Sequence, residues 1–387
     1  MTTRLRQGSG GQASQSSEAA KQHRRTIVLS AGGTGGHLFP AQALAGELTR
    51  RGRHVIVMTD RRGRNYESTF PGAVLEQVPS ASFAGSLAAK FVAPLRILAG
   101  LLVSLVKLAR IRPAAVVGFG GYPSLPVMTA ARIGGYPTII HEQNAILGRV
   151  NRRLASRAQA IAASLPLARF KPKDPARLVY TGNPVRPEAA KLSAIGYVPP
   201  TAEGEIRVLV FGGSQGARAL SEIVPGAIVR LPQALLARLH ITQQCRTEDI
   251  QRVRAAYGAI AVKAELRTFF DDLPVRMAAA HLVISRSGAS TVSELAVIGR
   301  PAFLIPFPFA TDDHQTANAR VLEDAGAAWL VQQRDLSEQK LATMLQDLLS
   351  DPGELARRAA AAHALGRPDA TERLADLVDS IAQAEAA

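Results

Sequence analysis

A histidine following a cluster of glycines is the first feature of this sequence equipped for chemistry. In "SAGGTGGHLFPAQAL", residues 30–44, Gly32, Gly33, Gly35 and Gly36 flank Thr34 and lead into His37. A turn without side chains lets a ligand reach the backbone. The free N–H groups of a following helix point at that ligand with a dipole that favours anions. A second turn of this kind, "GGSQGA" at 212–217, contains Ser214. Taken alone, each turn reads either as a diphosphate-sized cradle or as a tight strand-to-helix connection. Their recurrence in corresponding places favours a ligand. At a helix start the dipole disfavours imidazolium, so His37 is expected to be neutral near pH 7. It is then suited either to general-base work or to donating one hydrogen bond to a phosphate.

Two stretches in the second half carry groups suited to hydroxyls. "SRSGASTVSELA" opens a helix carrying Glu294, and "PFPFATDDHQTANA" opens one carrying Gln315 and Asn318, which lie three apart on one face. A carboxylate that accepts from two vicinal hydroxyls, with carboxamides that donate and accept, fits ribose and hexose. Thr291 and Glu294 equally fit a capping box, and the amide pair equally fits a solvated first turn. The dinucleotide fingerprint G-x-G-x-x-G is not met, because Leu38 and Ala217 stand where its third glycine belongs. No Gly-Lys-Ser/Thr follows either turn, which excludes a P-loop. A sugar nucleotide or another phosphoanion remains, with a dinucleotide-dependent oxidoreductase as the remote rival.

The elements needed to position these residues can be read along the chain. Short β-rich runs at 26–30, 54–59, 114–118 and 138–141 alternate with helical patterns, and the alternation restarts at "IRVLVFGGSQGARAL". This predicts an α/β protein of two Rossmann-like domains with parallel sheets facing a central cleft, ligands lying at the carboxyl ends of the strands. At 387 residues two domains are the natural expectation. A disordered basic tail is expected over 1–24, a first domain over 25–186 and a second over 187–364. The helix at 365–387 is expected to return to the first domain. The proline- and glycine-rich stretch 181–205 reads as the linker.

The net charge of +15 favours an anionic partner. Basic residues without interleaved aromatics or a known module argue against nucleic acid. The single cysteine, Cys245, excludes an intrachain disulfide framework and a cysteine-based zinc site, and suits a reducing compartment. The first two dozen residues lack an apolar segment and do not read as a secretory signal. The longest hydrophobic stretch, from Phe91, is cut by Arg96 and Lys107 and is too short to span a bilayer.

The blocks "GGTGGHLFPA", "GFGGYPS", "HEQNAILG", "TGNPVR", "GGSQGAR", "SRSGASTVSE" and "PFPFATDDHQTANA" occur in the order found in MurG-type UDP-N-acetylglucosamine transferases, and the chain resembles that family over nearly its whole length after the tail. The resemblance implies a GT-B fold and an inverting transfer of N-acetylglucosamine from UDP-N-acetylglucosamine to undecaprenyl-diphospho-N-acetylmuramoyl-pentapeptide (lipid I), without an organic cofactor or an obligatory metal. It further implies that Glu294 binds the ribose, with Ala289, Ser290, Thr291, Val292 and Ser293 near the nucleotide. Ser214 would meet the diphosphate, Arg186 and Phe270 the uracil, and Gln315 and Asn318 the sugar. Thr34, Gly35, Gly36 and Asn144 would contact the donor from across the cleft. Gly32, Gly33, Gly120, Gly121 and Tyr122 would hold the acceptor diphosphate, and His37 resembles the proposed base. The stretch "ITQQCR" departs from the family pattern, so the sequence assigns no role to Thr242–Gln244. Other GT-B lipid glycosyltransferases and a UDP-N-acetylglucosamine epimerase are the near alternatives.

A lipid-linked acceptor requires the enzyme to reach a membrane, by implication the cytoplasmic face of the inner membrane, where other cell-wall synthesis proteins would work beside it. No acidic residue lies between Glu76 and Glu142. Phe83, Leu87, Lys90, Phe91, Leu95, Arg96 and Leu98 form the expected contact with an anionic surface. Helical spacing places Leu98, Leu101, Leu105 and Leu108 together on the opposite side from Arg96, Lys107 and Arg110.

Overall fold

The computed structural model describes residues 26–32, 35–61, 70–80, 87–213, 217–260 and 262–384. In the helix that begins at Leu87, side chains are described from Ala93 onward. The first half folds around β1 (Thr26–Ser30), α1 (Gly35–Arg50), β2 (His54–Thr59), β3 (Val74–Gln77), α2 (Leu87–Ile111), β4 (Ala115–Gly118), α3 (Ser124–Ile133), β5 (Thr138–Glu142), α4 (Arg149–Ala155), β6 (Ala160–Ala163) and β7 (Leu178–Tyr180). The second half is built on β8 (Ile206–Phe211), α5 (Arg218–Ile228), β9 (Leu239–Gln244), β10 (Lys263–Arg267), β11 (Leu282–Ser285), α6 (Ala289–Ile298), β12 (Ala302–Leu304), α7 (His314–Asp324) and β13 (Ala328–Leu330). It closes with α8 (Ala370–Ala384).

All pairings in both sheets are parallel, and the orders are β3-β2-β1-β4-β5-β6-β7 and β10-β9-β8-β11-β12-β13. Each order reverses direction beside its first strand, between β1 and β4 and between β8 and β11. At such a switch point the connections leave in opposite directions and open a crevice beyond the strand ends. The glycine turns after β1, β4, β8 and β11 therefore all border the cleft. Near-continuous apolar strands such as "TIVLS", buried at every position, are what a sheet covered by helices on both faces requires.

Two chain crossings join the halves. The first runs through Thr181–Pro187 and the second precedes α8, whose Leu374, Ala375 and Val378 pack with Leu44 and Leu48 of α1. Arg51 and Arg53 hold Asp376 and Asp379 there at 2.7–3.1 Å. The crossings touch at Gly182, whose φ of +83° and closeness to Arg367 and Ala370 leave no room for a side chain.

On α2, Leu101, Leu105 and Leu108 pack on the core, as their spacing predicts. Leu98 does not join them. It is 52% exposed and lies along one stripe with Leu95 (68%), Leu102 (56%) and Val106 (52%), because a helix that shows one face to the sheet shows the opposite face to solvent. Arg96 is also exposed, whereas Lys107 is paired with Glu76 at 2.7 Å. Phe83 lies outside the described residues, as do the side chains of Leu87, Lys90 and Phe91. No helix among the described residues is long and apolar enough to cross a membrane.

Candidate active site

A cavity of about 800 Å³ opens between the two halves. On one side it is lined by Gly36, His37, Phe39, Gln143 and Asn144. On the other it meets Gly212, Gly213, Arg246, Arg286, Gly288 to Thr291, Phe307, Phe309, His314 and Gln315. A second cavity of about 480 Å³ adjoins it and is walled by Gly120, Gly121, Tyr122, Glu142, Asn151, Arg153 and Asp312. His37, Asn144 and His314 line both. His37 therefore stands where two bound molecules would meet.

The glycines around His37 serve it directly. A Cβ on Gly121, which has a φ of +77°, would lie 3.1 Å from the Gly32 Cα and 3.3 Å from the His37 ring. Gly32 is buried in this packing and lines neither cavity, whereas Gly120 and Gly121 face the second cavity. Gly35 and Gly36 begin α1. Gly33, Thr34 and Ser214 lie outside the described residues.

Burial lowers the pKa of His37 below the ordinary histidine value. The Glu142 charge, the Gln143 side chain and the Phe119 carbonyl act against that shift, and His314 reinforces it. Glu142 is buried and organises the loop after β5. Its oxygens accept from the backbone N–H of Asn144 and Gly148 and from the amides of Asn144 and Asn151, at 2.7–3.2 Å. Nothing in the spacing of "HEQNAILG" distinguishes this satisfied carboxylate from a reactive one.

In the second half, α6 presents its first turn to the larger cavity. Gly288 is its N-cap, and the N–H groups of Ala289, Ser290 and Thr291 begin it without a side-chain cap. The capping box does not form, since Gly288 is the N-cap and Thr291 lies within the first turn. Val292 and Ser293 point into the core, the latter bonded to the Ala289 carbonyl at 2.8 Å, because the helical period carries these positions off the cleft face.

Glu294, 5% exposed, does not face the cavity either. Arg186 Nε and Nη2 donate to its two oxygens at 2.7 Å each, a bidentate pair at the first crossing of the chain. The Phe270 ring is buried beneath Arg276, at 4.4 Å, and is not among the residues lining either cavity. Glu294, Arg186 and Phe270, expected at the ribose and uracil, thus line neither cavity, and Glu294 and Arg186 are paired with each other across 108 residues of sequence.

Gln315 does line the cavity, its Oε1 accepting from the Phe307 N–H at 2.9 Å. Asn318 lines neither cavity. It is fully buried, its oxygen accepts from the Ala145 N–H at 2.8 Å, and its amide donates to Asn144 Oδ1 and the Ser287 carbonyl at 3.1 Å. It ties the halves together. Asp312 makes a second tie, accepting from Arg149 and Arg152 of α4 at 2.6–3.2 Å.

Arg286 and Gln244 are site residues that the sequence did not single out. Arg286 is buried and has no carboxylate partner among the described residues, donating to the Ile305 and Pro306 carbonyls and to Gln333. Gln244, in the departing "ITQQCR" stretch, accepts from the Gly212 N–H at 3.2 Å and so braces the second glycine turn. The placing of an arginine two residues before Gly288 was the only legible signal for either. Among the described residues no group of three or more His, Cys, Asp or Glu is placed to hold a metal ion.

Comparison with known proteins agrees with this architecture. Residues 27–163 match the Glycosyltransferase family 28 N-terminal domain and residues 207–374 the Glycosyltransferase family 28 C-terminal domain. The chain is 50% identical over 354 residues to the UDP-N-acetylglucosamine–N-acetylmuramyl-(pentapeptide) pyrophosphoryl-undecaprenol N-acetylglucosamine transferase of Paramagnetospirillum magneticum, covering 91% of this chain and 95% of that one. The protein of the same name from a Chelativorans species is 50% identical over 366 residues, covering 93% and 96%. Among solved structures, Acinetobacter baumannii MurG superposes with a TM-score of 0.77 at 30% identity, covering 92% of this chain and 99% of that one.

Proposed function

Since the chain belongs to glycosyltransferase family 28, and within it to the UDP-N-acetylglucosamine–N-acetylmuramyl-(pentapeptide) pyrophosphoryl-undecaprenol N-acetylglucosamine transferases, we propose that it moves N-acetylglucosamine from UDP to the C4 hydroxyl of the muramoyl residue of lipid I. The observation that carries this reading is the position of His37 on the wall shared by the two cavities. The larger one, edged by the Gly212–Gly213 turn and the open first turn of α6, suits the UDP-sugar. The smaller, walled by Gly120, Gly121 and Tyr122, suits the acceptor.

The acceptor hydroxyl attacks the anomeric carbon from the face opposite the diphosphate, and the configuration inverts. As the new C–O bond forms, Nε2 of His37 takes the hydroxyl proton; the electrons of the old glycosidic bond leave with UDP. The growing charge on UDP meets the N–H groups at Ala289 to Thr291, the positive end of α6 and the Arg286 guanidinium. The amide of Gln315, with its oxygen anchored to Phe307, keeps its N–H groups for a sugar hydroxyl. Transfer of labelled N-acetylglucosamine from UDP to a lipid I analogue tests the reading. Product is expected with EDTA present, and its absence with every muramoyl acceptor tried would refute the assignment.

The exposed stripe Leu95, Leu98, Leu102 and Val106, flanked by Arg96 and Arg110, supports docking on an anionic membrane surface, where the lipid tail of the acceptor resides. The variant carrying Leu95→Ser and Leu102→Ser together is expected to lose most of its co-sedimentation with phosphatidylglycerol vesicles at low salt while retaining transfer to a short-chain, soluble acceptor. Equal sedimentation of variant and wild type would place the contact elsewhere.

A further inference from the structure

A buried polar chain lies behind His37 that the transfer itself does not use. The Gln143 side chain, 2% exposed, donates through Nε2 to the Phe119 carbonyl at 3.0 Å and lies 3.0 Å from Nδ1 of His141. Its Oε1 is 3.3 Å from Nδ1 of His37. His141 is fully buried. Its Nε2 lies 3.3 Å from Ser164 Oγ, and the Gly182 carbonyl accepts from the ring.

The hydrogens on this chain follow from which groups can only accept. The Phe119 carbonyl requires the amide nitrogen of Gln143 on its side, so the amide oxygen faces His37. The second N–H of that amide needs a bare Nδ1 on His141, which places the His141 proton on Nε2, where Gly182 and Ser164 receive it. The oxygen of Gln143 then requires a hydrogen on Nδ1 of His37. In a neutral ring, Nε2 is left with its lone pair.

We infer that Gln143 is a positioning residue that sets the tautomer of His37 and presents its Nε2 bare to the attacking hydroxyl, while His141 behind it keeps the Gln143 amide from turning over. The inference rests on the assignment of His37 as the base. Burial holds His141 at about 3, so it stays neutral through the working range and the chain keeps one arrangement. When His37 becomes imidazolium, its Nδ1–H faces a neutral amide rather than a carboxylate, so the proton is surrendered readily to water. Glu142, His314 and His141 are the titratable groups that face the ring or its support.

The full-length protein with 15N-labelled histidine tests this directly. Long-range 1H–15N spectra, with the His37 signals assigned by their loss in His37→Gln, are expected to report the Nδ1–H form in the wild type and the Nε2–H form in Gln143→Leu. The same variant is expected to lose at least about tenfold in kcat with little change in KM for UDP-N-acetylglucosamine. Its acidic limb should move to lower pH, because the Gln143 bond raises the His37 pKa. Gln143→Glu keeps an acceptor beside Nδ1 and adds charge, so it should move that limb upward and recover part of kcat. An Nε2–H wild type, or limbs that move alike in both variants, overturns the inference. If Gln143→Leu does not fold, the wild-type spectrum and Gln143→Glu still decide it. Full turnover in His37→Ala would instead refute the base assignment, leaving the tautomer of His37 to be judged from the spectra.

Discussion

His37→Ala is expected to lower kcat by about 10² to 10⁴-fold while changing the affinity for UDP-N-acetylglucosamine little, the range seen when a positioned general base is removed. The split between the two parameters follows from the site. His37 shares the junction of the cavities with Asn144 and His314, whereas most of the larger cavity is walled by groups of the second half. The base works only when neutral, so kcat/KM should fall as pH drops through the His37 pKa. Burial lowers that pKa, and the acidic limb should therefore lie below the pH at which an ordinary histidine protonates. Single-turnover rates and equilibrium binding across pH would check both statements. A variant that retains wild-type turnover, or a wild-type limb well above the ordinary histidine range, contradicts them.

Glu294→Ala is expected to destabilise the protein by about 3 kcal/mol and to raise KM for the donor. Removing one partner of a buried pair leaves the other charge uncompensated, a loss of ~3–5 kcal/mol for fully buried pairs. The low end applies because the Arg186 side chain is about a third exposed and keeps some access to water. Arg186 immediately precedes the helix Pro187–Leu192 at the first crossing between the halves, so its release should also loosen the cleft. Glu294→Gln keeps shape and one hydrogen bond and should lose less. Chemical denaturation of both variants gives the comparison, and equal stability of Glu294→Ala and wild type would show that the pair contributes nothing.

The two predictions draw on parts of the site that were unequally legible. The place of His37 at the cleft was readable because a glycine-rich turn at a strand-to-helix junction lies at the carboxyl end of its strand, where ligands bind in such sheets. Gln315 was readable for a similar reason, as one of two amides at a proline-bounded helix start. Asn318, three residues on, was not. Its spacing allowed the same contact, yet it faces the loop after β5 and is consumed in tying the halves together. Glu294 was identified as the carboxylate that matters, but its partner Arg186 is 108 residues away and no local pattern announces the pair. On α2 the heptad-like leucines declared a buried face, while the opposite, exposed stripe depended on which side the sheet lay.

The alternation of apolar strands with helical patterns, its restart at Ile206 and the glycine turns at matching positions were enough to establish two parallel-sheet domains and to favour a phosphate-bearing ligand. These are properties of local periodicity and of backbone freedom, which each short segment carries within itself. The meeting of the four turns at two facing switch points was decided by the folded chain. So were the close packing of Gly32 and Gly121 on His37 and the line of hydrogen bonds through Gln143 to His141. Each of these depends on strand order and on partners brought together across tens to hundreds of residues. Burial then determines which polar groups remain free for substrate, because a carboxylate or amide removed from water must first satisfy itself within the protein.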